Sequence, residues 1–174
     1  MAMSEAQARE LQARFGATST CECTADAAAR TAAAYYAKGY FCGESVLRAV
    51  NEVSGSPLPP EVSRLASGFC EGLGGSKCIC GALAGGTMAL GLISGRQSED
   101  ERWEPSYYAT AELRARWIAD QEAETCDEVV ARVADGDMDA PERWSHCCDL
   151  VGRTARWVLE IAEEHSLGEQ VGTA

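Results

Sequence analysis

Nine cysteines stand in this chain of 174 residues, which has only two histidines. Cysteine in a reducing compartment is seldom kept for disulfides, so metal ligation, redox chemistry and plain packing are the uses to weigh. Four of the nine fall in helical phase with apolar residues. Cys42 leads Val46, Ala49, Val50 and Val53; Cys80 leads Leu83, Ala84, Thr87 and Leu90; Cys126 leads Val129, Val130 and Val133. Cys148 runs with Val151, Ala155, Val158 and Ala162. Apolar stripes meet in a core, so these thiols can converge.

Three of the four fall in the first turn of their helices. A helix start carries a partial positive charge and unpaired N–H groups. That favours thiolate over thiol, lowers the thiol pKa, and equally suits a bound anionic cluster. Cys80 is on this ground the expected reactive thiolate. The plain alternative is that each cysteine packs as a small hydrophobe.

Five more cysteines accompany the four. Cys21-Glu22-Cys23 and Cys78-Ile79-Cys80 are C-x-C pairs, Cys147 adjoins Cys148, and Cys70 lies in a glycine-rich loop. Glycine lets backbone N–H groups approach a ligand's sulfurs closely, so Cys70 and Cys78 join the expected cofactor-binding set. Cys147 is a further metal-ligand candidate, or a packing neighbour of Cys148. His146 is a candidate ligand or thiol activator, although solvent exposure is the commoner fate. No C-x-x-C occurs, which argues against a thioredoxin-like motif, and no C-x-x-C-H, which argues against covalent haem. A four-thiolate zinc site is open to this set, though its members are widely spread.

The elements that must position these residues read as helices throughout. Periodicity predicts an amphipathic helix over Ser4 to Phe15, then helices from about Ala27 to Lys38, from Cys42 through Val53, and a short one from Pro60 to Ala66. An apolar helix follows from about Ile79 to Ile93, then Tyr107 to Ala123, a short helix from Cys126, and a last one from Pro141 to about His165. No useful strand alternation occurs. The expected fold is all-α, a bundle of about five to seven helices around a buried glycine-rich helix. The expected division is a helix and cysteine-containing loop over 1–24, one domain over 25–166, and a tail over 167–174.

The run Cys78 to Gly95 is uncharged and long enough to raise the question of a membrane span. Its five glycines and the absence of lysine or aromatic anchors favour burial inside a helical protein. The first residues lack a basic start followed by an apolar run, so a cytoplasmic location is expected. A formal charge of −12 argues against nucleic acid and anionic membrane as partners.

Leu65-Ala66-Ser67-Gly68-Phe69, Gly72-Leu73-Gly74-Gly75, Cys80-Gly81-Ala82-Leu83-Ala84-Gly85 and Met88-Ala89-Leu90-Gly91-Leu92 stand in order. With the outlying Cys42, Cys126 and Cys148 they resemble the redox-active proteins named for their C_GCAxxG_C_C pattern, over roughly Tyr35 to Ala162. The resemblance implies redox activity resting on Cys42, Cys80, Cys126 and Cys148. A similar block occurs in split-Soret cytochromes, which bind an iron–sulfur cluster as well as haem. By that analogy a homodimer is expected.

The leading expectation is therefore a redox protein that holds an iron–sulfur cluster, for instance [4Fe–4S], on inward cysteines. It would transfer electrons to a redox partner protein or act on a small-molecule substrate. A metal-free thiol–disulfide oxidoreductase is the first alternative. Thiolate binding of zinc, copper(I) or arsenite, and a purely structural bundle, are the others.

Overall fold

The computed structural model describes residues 24–54 and 58–167. The expected helix over Ser4 to Phe15, Cys21, Cys23 and the tail beyond Leu167 lie outside the described residues. Within them the chain forms six α-helices and one 3-10 helix, and the only β pairing is an isolated bridge between Ile79 and Thr125. The protein is all-α.

The first helix, α1 (Thr24–Ala37), is alanine-rich, which permits close packing, and it buries Ala28, Ala32, Ala33 and Tyr36. Helix α2 (Cys42–Val53) starts where the Glu44 carboxylate accepts from the Phe41 N–H at 2.9 Å. It buries the row Val46, Leu47, Ala49 and Val50. Pro60 opens a 3-10 helix that runs to Phe69, three residues past the expected end at Ala66.

Helix α3 (Gly81–Ser94) is the buried glycine-rich element, enclosed over its first six residues, and it packs against α2, the 3-10 helix and the helices Glu104–Gln121 and Pro141–Glu164. Among the described residues no helix is long and apolar enough to cross a membrane. Helix α4 (Glu104–Gln121) anchors itself through Trp117, which is fully buried and donates its indole N–H to the Ala123 carbonyl at 2.6 Å.

Helix α5 (Cys126–Ala134) begins with reciprocal capping: the Thr125 hydroxyl accepts from the Glu128 N–H, and the Glu128 carboxylate accepts from the Thr125 N–H. Helix α6 (Pro141–Glu164) is the longest and lies along α1, with further contacts to α2 and α3. Pro141 at its first position needs no partner for the N–H it lacks.

A cysteine-lined candidate redox site

Two local devices bring the helix starts together. Gly85 of α3 meets the backbone of Gly43 on α2, where a Cβ would stand 2.6 Å from the Gly43 carbonyl oxygen. A Cβ on Gly81 would likewise lie 2.7 Å from the Phe69 carbonyl oxygen and 3.4 Å from the Cys42 Cβ. This contact sets Cys42, the first residue of α2, beside Cys80, the residue that precedes α3. The second device is a short backbone seam. Cys80 N–H donates to Glu124 O at 2.9 Å, Cys126 N–H to Cys78 O at 2.6 Å, and Asp127 N–H to Lys77 O at 3.0 Å. The seam fixes the start of α5 against the start of α3, so Cys126 joins Cys80.

Helix α6 supplies the fourth thiol, and it is Cys147. The Cys42 and Cys147 thiols are direct neighbours, and their interaction raises the Cys42 pKa and lowers that of Cys147. Cys147 also interacts electrostatically with Cys80 and Cys126. Cys148, the residue expected in this place, is fully buried but turns its thiol to the Ala33 carbonyl of α1 at 3.7 Å. Adjacent residues on a helix point about 100° apart (3.6 residues per turn), so one can face the thiols while the other faces α1. Cys148 follows the aliphatic stripe of α6, whereas the thiols gather to one side of that stripe, where Cys147 points.

The other expected residues are placed as follows. Cys70 is half-buried at the rim, beside Glu71 and Glu44, and burial raises its pKa. Cys78 is exposed although its C-x-C partner Cys80 is buried. His146 bonds Gln121 Oε1 at 2.9 Å, and burial lowers its pKa. Cys42, Cys70, Cys78, Cys80, Cys126 and Cys147 are free thiols.

A loop closes over the thiols. Glu71, Gly72, Leu73, Gly74, Gly75 and Lys77 all have positive φ, a conformation that costs a non-glycine residue free energy. Gly72 is required here on two counts. Its φ is +71°, and a Cβ on it would come within 2.7 Å of both the Cys126 Cβ and the Cys78 backbone nitrogen. The loop seals Cys126 sterically and carries Glu71 to Arg143.

Sequence reasoning missed Arg143. It lies one turn before Cys147 on α6, stacks on Trp144 with Cζ 4.3 Å from the ring centroid, and leaves only 4 % of its side chain exposed. Its ion pair to Glu71 Oε1 is long, 3.7 Å, and its Nε and Nη1 have no hydrogen-bond partner among the described residues. The buried Tyr36 hydroxyl lies by Cys147. Orphaned buried donors are uncommon enough to need a reason. An arginine at i−4 from a core cysteine is the signal that could have pointed here.

The electrostatics divide the four thiols. Burial pushes Cys80 up to about 12, overcoming the opposing N–H groups of Ala82 and Leu83 at the start of α3. The expected helix-start effect is therefore present with the expected sign, and desolvation outweighs it. Cys80 is consequently a neutral thiol at pH 7, which removes the ground for treating it as the low-pKa nucleophile. Burial likewise raises Cys126 to about 11. Cys42 is raised well above the ordinary thiol range, first by its interaction with Cys147 and then by burial. Cys147 moves the other way: the interaction with Cys42 lowers it against the burial cost, with help from Arg143 and the Tyr36 hydroxyl. Of the four thiols, Cys147 alone is shifted towards the thiolate, while Cys42, Cys80 and Cys126 are shifted towards the neutral thiol.

A metal fits this arrangement in part. A single tetrahedral ion bound by thiolates at about 2.3 Å needs sulfurs about 3.8 Å apart. Among the described residues no three histidine, cysteine, aspartate or glutamate side chains are close enough to hold one. Cys42, Cys80, Cys126 and Cys147 are the soft donors of the site, and Arg143 is the buried cation beside them.

The family model described as "Putative redox-active protein (C_GCAxxG_C_C)" matches residues 40–161, more than half of the chain. The chain belongs to the C_GCAxxG_C_C family. No curated protein and no solved structure matches it. The match spans Cys42 through Cys148, so every thiol of the site falls inside the C_GCAxxG_C_C region, together with Arg143 and Glu71.

Proposed function

We propose that this protein is a thiol redox protein whose working couple is Cys147 and Cys42. The observation that carries this is the pairing of the buried Cys147 thiol with Cys42 beside the buried Arg143 guanidinium. The thiolate of Cys147 attacks an electrophilic sulfur of a disulfide-bearing partner or small substrate and expels the other sulfur as a thiolate. Cys42, losing its proton to solvent, then attacks the Cys147 sulfur. A Cys42–Cys147 disulfide forms and the substrate leaves reduced by two electrons. A dithiol reductant restores the couple. Arg143 supplies N–H donors without another partner among the described residues, and the Tyr36 hydroxyl lies by Cys147; both would stabilise a developing thiolate.

The test is mild oxidation with diamide followed by peptide mapping. The expected result is loss of two thiols per chain as one Cys42–Cys147 disulfide, reversed by dithiothreitol. Random pairing, or no disulfide under oxidant sufficient for a control dithiol, would rule the couple out.

A second reading is favoured by the number of thiols around Cys147. Cys42, Cys80, Cys126 and Cys147 would hold an iron–sulfur cluster, which when bound supplies one-electron chemistry. Helix-start N–H groups near Cys80 and the Arg143 charge would favour its anionic form. This predicts brown protein from anaerobic purification, with stoichiometric iron and acid-labile sulfide. Colourless, iron-free protein from iron-replete, oxygen-free cells would count decisively against it.

A further inference from the structure

Arg143 carries five N–H donors on a permanent cation, and the structure satisfies few of them. Among the described residues its anionic contact is the long ion pair from Nη2 to Glu71, and Nε and Nη1 are buried with no hydrogen-bond partner. An uncompensated buried charge is costly, and a guanidinium in such a place is matched best by a planar or tetrahedral oxyanion that accepts several N–H bonds at once. The Tyr36 hydroxyl, buried beside Cys147, adds a further donor at the same place. In a chain with a formal charge of −12, this concentration of buried donors runs against the overall field.

Glu71 shows how an anion reaches the guanidinium. Its carboxylate already occupies one side of Arg143, from a loop held in positive φ. The Glu71 side chain is 28 % exposed against 4 % for Arg143, so the carboxylate lies on the solvent side of the pair.

We propose that Arg143 and Tyr36 mark a binding site for a small oxyanion that competes with the Glu71 carboxylate and lies against the Cys147 and Cys42 thiols. This rests on the thiol-couple reading and names its substrate class: a reducible oxyanion of the type HXO4 2−. The Cys147 thiolate bonds to the central atom X, and one X–O bond breaks, its oxygen leaving as water with the two thiol protons. Cys42 then attacks the Cys147 sulfur and the S–X bond breaks towards X. The products are HXO3 2−, water and the Cys42–Cys147 disulfide, so X gains two electrons and the thiol pair loses two. A dithiol reductant regenerates the thiols.

Phosphate and arsenate are suitable probes, because they share shape and charge while only arsenate is reducible by thiols. Alkylation of Cys147 is followed by mass spectrometry in the full chain. Phosphate is expected to slow it several-fold, and chloride at equal ionic strength is not. Glu71→Gln removes the internal competitor and is expected to lower the half-protecting phosphate concentration several-fold. Arg143→Met is expected to abolish protection, and Glu71→Gln carries the test if that variant does not fold. Arsenate is expected to yield arsenite and the disulfide in equal amounts. Absence of protection, or protection unaltered by Glu71→Gln, overturns the anion site. Protection by phosphate without arsenite formation overturns the substrate assignment. Diamide treatment of the same samples separates the two proposals: if the Cys42–Cys147 disulfide still forms, the thiol couple survives the loss of the anion site.

Discussion

Gly85 and Gly43 touch backbone to backbone, with room for no side chain between them: a Cβ on Gly85 would lie 2.8 Å from the Gly43 Cα. Gly43 directly follows Cys42, and Gly85 sits just over a turn beyond Cys80. The contact that packs α3 on α2 is thus the contact that sets two of the four thiols side by side. Gly85→Ala should destabilise the protein by about 1–3 kcal/mol, because backbone cannot move aside as a flexible side chain can. A Cβ on Gly91, farther along the same helix, would meet nothing within 4 Å. Gly91→Ala should therefore be neutral or stabilising by about 0.5–1 kcal/mol. Urea denaturation of both variants checks the pair; equal effects would show that the close approach is not what holds α3.

The interaction with Cys42 is the largest influence lowering Cys147, ahead of Arg143 and Tyr36. Alkylation of Cys147 should rise at a pH below that of an ordinary thiol. Removing that neighbour in Cys42→Ala should move that profile to higher pH. Arg143→Lys should move it less than Arg143→Met, because the cation is kept. A profile unmoved by Cys42→Ala would mean that the two sulfurs do not interact.

Cys80 and Cys126 provide an alkaline signature. Both are raised in the folded protein, to about 12 and about 11. An unfolded thiol ionises near pH 8.5, so above that pH the unfolded chain sheds protons that the folded chain retains. The stability contributed by these neutral thiols is complete below that pH and falls away as pH climbs towards the folded values. Urea midpoints between pH 8 and 11 should decline, and the decline should be shallower in Cys80→Ala. A flat dependence would mean that these sulfurs are not desolvated.

Thr125 caps α5 through the Glu128 N–H at 3.2 Å, immediately before Cys126. Thr125→Ala should cost about 1 kcal/mol. It should also loosen the seam that carries Cys126, so that hydrogen exchange at the Cys126 amide, which bonds Cys78 O, speeds more than exchange within α2. Uniform acceleration across the protein would assign the effect to global stability alone.

Local physics settled the helices before any packing was known. Apolar spacing is a chain-neighbour effect that places helices beginning at or next to Cys42, Cys80 and Cys126, and Pro60 and Pro141 start two further helices in the same local way. That is why three of the four gathered thiols were legible from spacing. The fourth was not. Cys147 and Cys148 are both buried, and only the way α6 lies against α1 and α2 decides which thiol meets Cys42 and which meets Ala33. The ionisation states were equally out of reach. A helix start acts on its own first turn and can be read locally, but desolvation depends on everything that covers a group, and at Cys80 covering wins. Arg143 belongs with these. A sequence gives its charge, and only the enclosing fold leaves its donors without partners next to a thiol.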